Sequence, residues 1–392
     1  MMVTQSIAYV GVNDHEVDLF EGQFDVRENG MSYNSYVVLD DKVAVMDTVD
    51  IRFADEWLAN VAAALGERKP DYLVVQHMEP DHAGSIARFL DAYPDATVVS
   101  NKTAFGYMES YFGADVAPKR EVVENGGTLC LGTHELTFVF APFVHWPEVM
   151  VTYDAADKIL FSADGFGKFG ALDYDDPEGW SCEARRYYFG IVGPYGKQVQ
   201  KLLAAASGLD IQTICPLHGP VLADNLGYYL GLYNTWSSYE PEEDGILIAY
   251  ASVYGNTKQA ALELADALQK RFEGREGAPV VKAIDLARED LHECVEDAFR
   301  YGKLVCATIT YNGGVFPIMR NFVENLVERK FQKRTVAFVE GGTWAPTAAK
   351  GMRKLFEESP DLELLDQKVT VKGAVDESTR EQIEALADAL AG

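Results

Sequence analysis

The sequence predicts two domains of different build. A mixed α+β layered domain occupies roughly the first 240 residues, and a doubly wound parallel α/β domain follows. Three observations carry this. A chain of 392 residues is longer than one average domain needs. From about residue 245 short apolar runs alternate with helical stretches. Before that point short β runs come in neighbouring pairs.

Taken in order, the runs 36–39 and 43–46 predict a first hairpin and 51–65 predicts a helix. Residues 72–76 read as a strand. The runs 136–140 and 149–153 pair, and that pair continues into 159–161; the apolar stretch 136–144 reads as a strand running up to His145, and 211–215 as another. Tyr239-Glu240-Pro241-Glu242-Glu243-Asp244-Gly245 is polar, holds a proline and lacks periodicity, which places the boundary there, with domains at 1–243 and 244–392. Beyond it, strands are expected at 246–251, 280–284, 304–309, 335–339 and 369–371. A helix follows the first, with Ala261, Leu264, Ala265, Leu268 and Phe272 on one face. Residues 377–391 form an amphipathic C-terminal helix.

Composition narrows the function. Lys+Arg number 34 against 61 Asp+Glu, a net charge of −27, so unaided binding to nucleic acid or anionic lipid is disfavoured by like charge. No apolar run reaches the ~18 residues of a membrane span, and the N-terminus lacks signal-peptide features; a soluble, cytoplasmic protein is expected. Five cysteines, none in a C-x-x-C pair, argue against a disulfide framework or a cysteine-ligated metal centre and read as small buried hydrophobes.

Directly after the 72–76 strand come His77-Met78-Glu79-Pro80-Asp81-His82, four ligand-type side chains within six residues. In an extended loop alternate residues point the same way, so His77, Glu79 and Asp81 could converge, with Pro80 holding the loop extended. Further ligand types, His145, Asp164 and His218, follow predicted strands. Singly each is an ordinary polar residue; together they indicate a metal site.

In the second half, Ser252, Tyr254, Gly255, Asn256 and Thr257 lie in a strand–turn–helix junction whose hydroxyls and helix N–H groups suit a phosphate, although a plain helix cap at Asn256 or Ser252 is the simpler alternative. Two more loops stand at C-terminal strand edges, where open α/β sheets take ligands: Thr310, Tyr311, Asn312, Gly313 and Gly314, then Gly341, Gly342, Thr343 and Trp344. Tyr311 and Trp344 could stack on a flat ring.

The H-x-E-x-D-H spacing followed by His145, Asp164 and His218 resembles the metallo-β-lactamase-like domain of the flavodiiron proteins, and the three later loops resemble a flavodoxin. The resemblance covers about residues 1–390 in the family's domain order. It implies a metallo-β-lactamase-like αββα sandwich followed by a flavodoxin-like domain. One iron would take His77, Glu79 and His145; the other Asp81, His82 and His218; Asp164 would bridge. Glu79 stands where hydrolytic relatives usually carry histidine, and a carboxylate there favours iron over zinc by ligand type. Tyr195 is either a hydrogen-bond donor to bound oxygen or a packed loop residue, and Trp146 a pocket wall. Without a G-x-G-x-x-G fingerprint, FMN rather than NAD or FAD is implied. Two departures touch the flavin contacts: Ile309 where a proline is common, and Glu340 where a small residue is common.

The implied activity is electron transfer through FMN to two iron ions that reduce O2 to water or NO to N2O. The implied partners are a separate electron donor, either a rubredoxin-type protein or a reduced deazaflavin coenzyme, and a second copy in a head-to-tail dimer, or a dimer of dimers. The rivals are a binuclear zinc hydrolase carrying the flavodoxin as a passenger, and an electron carrier with a vestigial metal site.

Overall fold

Two β-sheets share a buried core in the N-terminal part of the computed structural model, which describes residues 1–392 and divides into the units Met1–Asn234 and Thr235–Gly392. The first sheet runs in the order Ile7–Tyr9, Tyr36–Leu39, Val43–Met46, Tyr72–Val74, Thr97–Ser100, Arg120–Val122. Its first pairings are antiparallel, and those from Val43–Met46 onward are parallel. The second sheet runs Thr128–Cys130, Glu135–Phe140, Met150–Asp154, Ile159–Phe161, Thr213–Cys215, antiparallel except for the last pair. Val38, Met46 and Val74 of one sheet and Phe138, Met150 and Phe161 of the other belong to a single buried cluster. Removing that apolar area from water is the main force joining the layers. Outside them, the helix Ala54–Leu65 buries Ala54, Trp57, Val61 and Leu65, spaced three to four residues apart so that one stripe faces inward.

The predicted hairpins are present, with adjustments. Residues 51–53 are a 3₁₀ turn before the helix, and the strand read at 72–76 stops at Val74. The strand read to Val144 ends at Phe140; residues 141–149 fold back on themselves, with Val144 N–H bonded to Ala141 O and Phe143 N–H to Trp146 O. The loop 77–82 is not extended throughout. Glu79 has extended dihedrals, but Pro80 opens the short helix Pro80–Ala83, a position where its missing N–H costs nothing. Asp81 is thereby turned away from the alternation that would have placed it with His77 and Glu79. Of the cysteines, Cys215, Cys294 and Cys306 are buried as expected, whereas Cys130 is exposed at the edge of the second sheet.

In the C-terminal unit five parallel strands lie in the order Val280–Asp285, Glu243–Ala251, Tyr301–Tyr311, Arg334–Gly341, Leu362–Val371, a 2-1-3-4-5 arrangement of a doubly wound sheet. All five predicted strands are found, most of them longer than their apolar runs. The helix Asn256–Phe272 buries the predicted stripe Ala261, Leu264, Ala265, Leu268 and Phe272, and the helix Glu377–Ala391 packs beside it. No helix is long and apolar enough to cross a membrane.

Candidate functional site

The metal-type side chains of the first unit gather where loops leave both sheets. His77 follows Tyr72–Val74, Asp164 follows Ile159–Phe161 and His218 follows Thr213–Cys215, while His145 stands on the 141–149 loop. They form two groups: His77, Glu79, His145 and Asp164, and Asp81, His82 and His218. Within the first, Glu79 Oε2 lies 3.2 Å from His77 Nε2 and 2.9 Å from His145 Nε2, and Asp164 Oδ2 lies 3.1 Å from both imidazoles. Within the second, His82 and His218 face each other at 2.9 Å, and Asp81 Oδ2 is 3.3 and 3.2 Å from them. Asp164 Oδ1 turns to this second group, 3.4 Å from His82 and 3.8 Å from His218. One carboxylate thus faces both groups with a different oxygen.

These groups fit metal ions. Ligand atoms about 2.1 Å from one ion and at right angles to each other lie about 3.0 Å apart, close to the spacings found. Both oxygens of Asp81 and of Asp164 are buried without a hydrogen bond. Buried acceptors of this kind are costly unless a cation satisfies them. The histidine orientations agree. His218 Nδ1 donates to Ser32 O at 2.7 Å, and a carbonyl only accepts, so Nε2 keeps a lone pair for the site. His77 Nδ1 sits 2.8 Å from Glu148 Oε1, which also accepts from Met78 N–H, so its Nε2 likewise points inward.

Charge follows the same pattern. Burial disfavours the imidazolium of His77, but Asp164, Glu148 and Glu79 outweigh it and hold the ring well above the usual histidine range. His145 is pushed up to about 9, burial being outweighed by Asp164 and Glu79. Asp164, although fully buried, is held well below the usual carboxylate range by the surrounding imidazoles. The backbone is unusual here too. Phe143 (φ 66°), Ala163 (φ 49°) and Asp47 (φ 54°) are left-handed without being glycine, and Ala163 immediately precedes Asp164.

His145 also lines an open, largely aromatic cavity of about 490 Å³ with Trp146, Tyr107, Tyr111, Phe143 and Tyr195. Trp146 stands edge-on to His77 at 5.4 Å, the wall the sequence suggested. Tyr195 stacks on Phe143 at 5.6 Å, so its ring packs in the loop as well as lining the cavity. Sequence reasoning missed Glu148, Ser32 and Asp47. Asp47 accepts from Gln76 N–H at 2.7 Å and Gln76 Nε2 at 2.8 Å, fixing the residue before His77. Glu148 had a signal, three residues after His145; Ser32 acts through its backbone oxygen and had none.

The second unit holds a cavity of about 390 Å³ at the C-terminal edge of its sheet. Ser252, Tyr254, Asn256, Thr257, Thr310, Asn312, Gly313, Gly341, Gly342, Thr343 and Trp344 line it; Gly255, Tyr311 and Gly314 do not. The helix Asn256–Phe272 has Gly255 (φ 94°) as its N-cap and no side-chain cap, rather than Ser252 or Asn256. Its first N–H groups are therefore left for an anion, which suits a phosphate. A side chain at Gly341 would place Cβ 2.6 Å from Thr257 Oγ1, so glycine lets the two loops meet. Trp344 is 83% and Tyr254 93% exposed at the rim, while Tyr311 rests edge-on against Phe316. Exposed aromatic rings beside a phosphate-type turn suit a flat heteroaromatic ligand.

Comparison with known proteins bears on both domains. A family model described as ODP family beta lactamase matches residues 31–219, and a flavodoxin domain model matches 247–384. The anaerobic nitric oxide reductase flavorubredoxin of Salmonella arizonae is 31% identical over 353 residues, 87% of this chain and 72% of that protein. Rubredoxin oxygen:oxidoreductase from Desulfovibrio gigas superposes with a TM-score of 0.91 at 26% identity, covering 100% of this chain and 97% of the other. The flavodiiron protein of Giardia intestinalis gives 0.87 at 26% identity, covering 99% and 95%. With a β-lactamase-like domain ahead of a flavodoxin domain and oxidoreductases among its relatives, the chain belongs to the flavodiiron protein family and is a flavin-dependent oxidoreductase.

Proposed function

We propose that the chain reduces O2 to water, NO to N2O, or both, using FMN in a module at 244–392 and two iron ions in a module at 1–243. The observation that carries this is the arrangement of seven donors in two groups around one shared carboxylate, Asp164. One iron takes His77, Glu79 and His145, and the other Asp81, His82 and His218. When bound, two ferrous ions supply paired electrons and Lewis acidity to a small gas, and the flavin collects electrons singly or in pairs.

The protein's part is orientation. Glu148 and Ser32 aim the imidazoles of His77 and His218. Asp164, Glu79 and Asp81 bring three negative charges against four positive ones, which a buried site tolerates. The open, largely aromatic cavity at His145 gives a neutral diatomic a way in to the site. On the flavin side, the uncapped turn at 255–257 receives the phosphate, and the loops at 310–314 and 341–344 take the ring. Electrons come from an external donor, a rubredoxin-type protein or a reduced deazaflavin coenzyme. A head-to-tail homodimer, alone or paired as a dimer of dimers, sets the exposed Trp344 rim of one copy against the aromatic cavity of the other.

Supply of reduced donor to anaerobically prepared protein should give O2 or NO consumption that stops when residues 1–243 and 244–392 are made as separate chains. Hydrolysis of thioesters by residues 1–243 alone, with zinc bound and no gas consumption, would overturn this reading in favour of a hydrolase. Glu79, a carboxylate among the histidines, speaks against that outcome.

A further inference from the structure

Glu340 is the residue before the Gly341–Trp344 turn, and it is buried to 1% exposure although it carries a carboxylate. Its oxygens are divided between two neighbours. Oε2 accepts from Ala349 N–H at 3.0 Å, at the start of the helix Ala348–Leu355. Oε1 accepts from Lys368 Nζ at 2.5 Å and from Thr370 Oγ1 at 3.1 Å, both on the edge strand Leu362–Val371. Three donors on two elements therefore meet one carboxylate, which is what a buried charge requires.

The side chain closes a loop. Residues 341–348 leave the strand at Glu340 and return to the helix whose first turn Glu340 holds. Neutral bonds assist: Gly342 N–H to Val371 O at 2.9 Å, and Thr347 and Ala348 N–H to Thr310 Oγ1 at 2.8 and 3.1 Å. The last two tie the loop to the other ring loop, at Thr310. Within this span Ala345 has a left-handed backbone (φ 43°), and Trp344 projects 83% exposed. A conformation of that kind persists only where its surroundings hold it. Glu340 does not itself line the cavity, yet Gly341, Gly342, Thr343, Trp344 and Ala345 all do.

We propose that Glu340 is a positioning residue for the flavin: its carboxylate, held by Lys368, Thr370 and Ala349, fixes the 341–347 loop in the one arrangement that receives the isoalloxazine ring. This rests on the FMN reading given above. A loop that samples other arrangements binds in proportion to the time it spends in the competent one, so loosening it weakens FMN and changes the environment of the bound ring.

The test uses full-length protein and its E340A, E340Q and K368M variants, with FMN added to flavin-free protein. The readouts are the FMN dissociation constant from fluorescence quenching, the visible circular dichroism and midpoint potential of the bound flavin, and the melting temperature. E340A should weaken FMN about 10- to 100-fold and alter the visible dichroism. E340Q keeps an acceptor for Ala349 but loses the charge, so it should fall between E340A and wild type with a shifted potential. K368M keeps the Ala349 and Thr370 bonds but removes the cation facing a carboxylate of 1% exposure, so it should weaken FMN less than E340A does while lowering the melting temperature. Wild-type affinity, dichroism and potential in E340Q would overturn the proposal whether or not E340A folds, and a lowered melting temperature as the sole change in both Glu340 variants would reduce the residue to a structural role. Wild-type protein that takes up no FMN would instead overturn the flavin reading itself.

Discussion

Replacing Asp164 by asparagine is the substitution that bears most directly on the metal centre. The side chain meets His77 and His145 through Oδ2 at 3.1 Å and His82 and His218 through Oδ1 at 3.4 and 3.8 Å, and it makes no competing hydrogen bond. Asparagine fills the same space but gives up the charge, and one of its two ends becomes an NH2 that cannot ligate. Two unit charges 4 Å apart interact by about 4 kcal/mol at an effective dielectric constant of about 20, and a divalent ion doubles this before desolvation offsets part of it. Removing one partner of a buried pair costs about 3–5 kcal/mol in practice, so metal affinity should fall by roughly 150- to 4,000-fold. Competition against a chelator of known affinity measures this, with flavin content as the internal control. Asp164→Asn protein should retain FMN, hold fewer than two metals after dialysis and lose gas reduction. Two tightly held metals with full turnover would show that Asp164 is not shared between them, and the two-group reading would fail.

Other consequences are more local. Glu148→Ala frees His77 Nδ1 and should weaken metal binding about 10- to 100-fold, with Glu148→Gln losing less; equal affinities would remove Glu148 from the account. Metal affinity should rise with pH. His77 lies well above the usual range and His145 at about 9, so both carry protons at neutral pH that an incoming ion must displace; each displaced proton makes affinity climb about tenfold per pH unit until the pH passes the ring's raised value. A flat profile in a calorimetric titration between pH 6 and 8 would contradict those protonation states. Gly341→Ala places a methyl 2.6 Å from Thr257 Oγ1 and 3.2 Å from Ile309, and should lower FMN affinity about tenfold or more while leaving metal content unchanged.

What the sequence made legible differs between the halves for physical reasons. The central parallel strands of the second unit are buried on both faces, so they read as unbroken apolar runs and were easy to find. The edge strand Leu362–Val371 is legible only at 369–371, because 362–368 mixes three leucines with Glu363, Asp366, Gln367 and Lys368 in no strand-like alternation, and a register irregularity interrupts its pairing. In the first unit the apolar stretch 136–144 reads as one strand, but its second half leaves the sheet: Ala141 and Val144 are buried in the loop, and Phe143 walls the cavity beside His145. Pro80 suits both an extended loop and a helix start; the helix start prevailed, and it sends Asp81 to the second group. The seven metal-type side chains could be picked out because they follow strands and crowd together in sequence. Their supports, Ser32 O and Asp47, lie far from them in the chain and become visible only once the sheets bring them near.

Metal and flavin content of protein purified without oxygen, from iron-replete growth, tests most directly whether one chain holds two irons and one FMN. The expected result is close to two irons and one FMN per chain. Two zincs under those conditions, or iron without flavin, would contradict it.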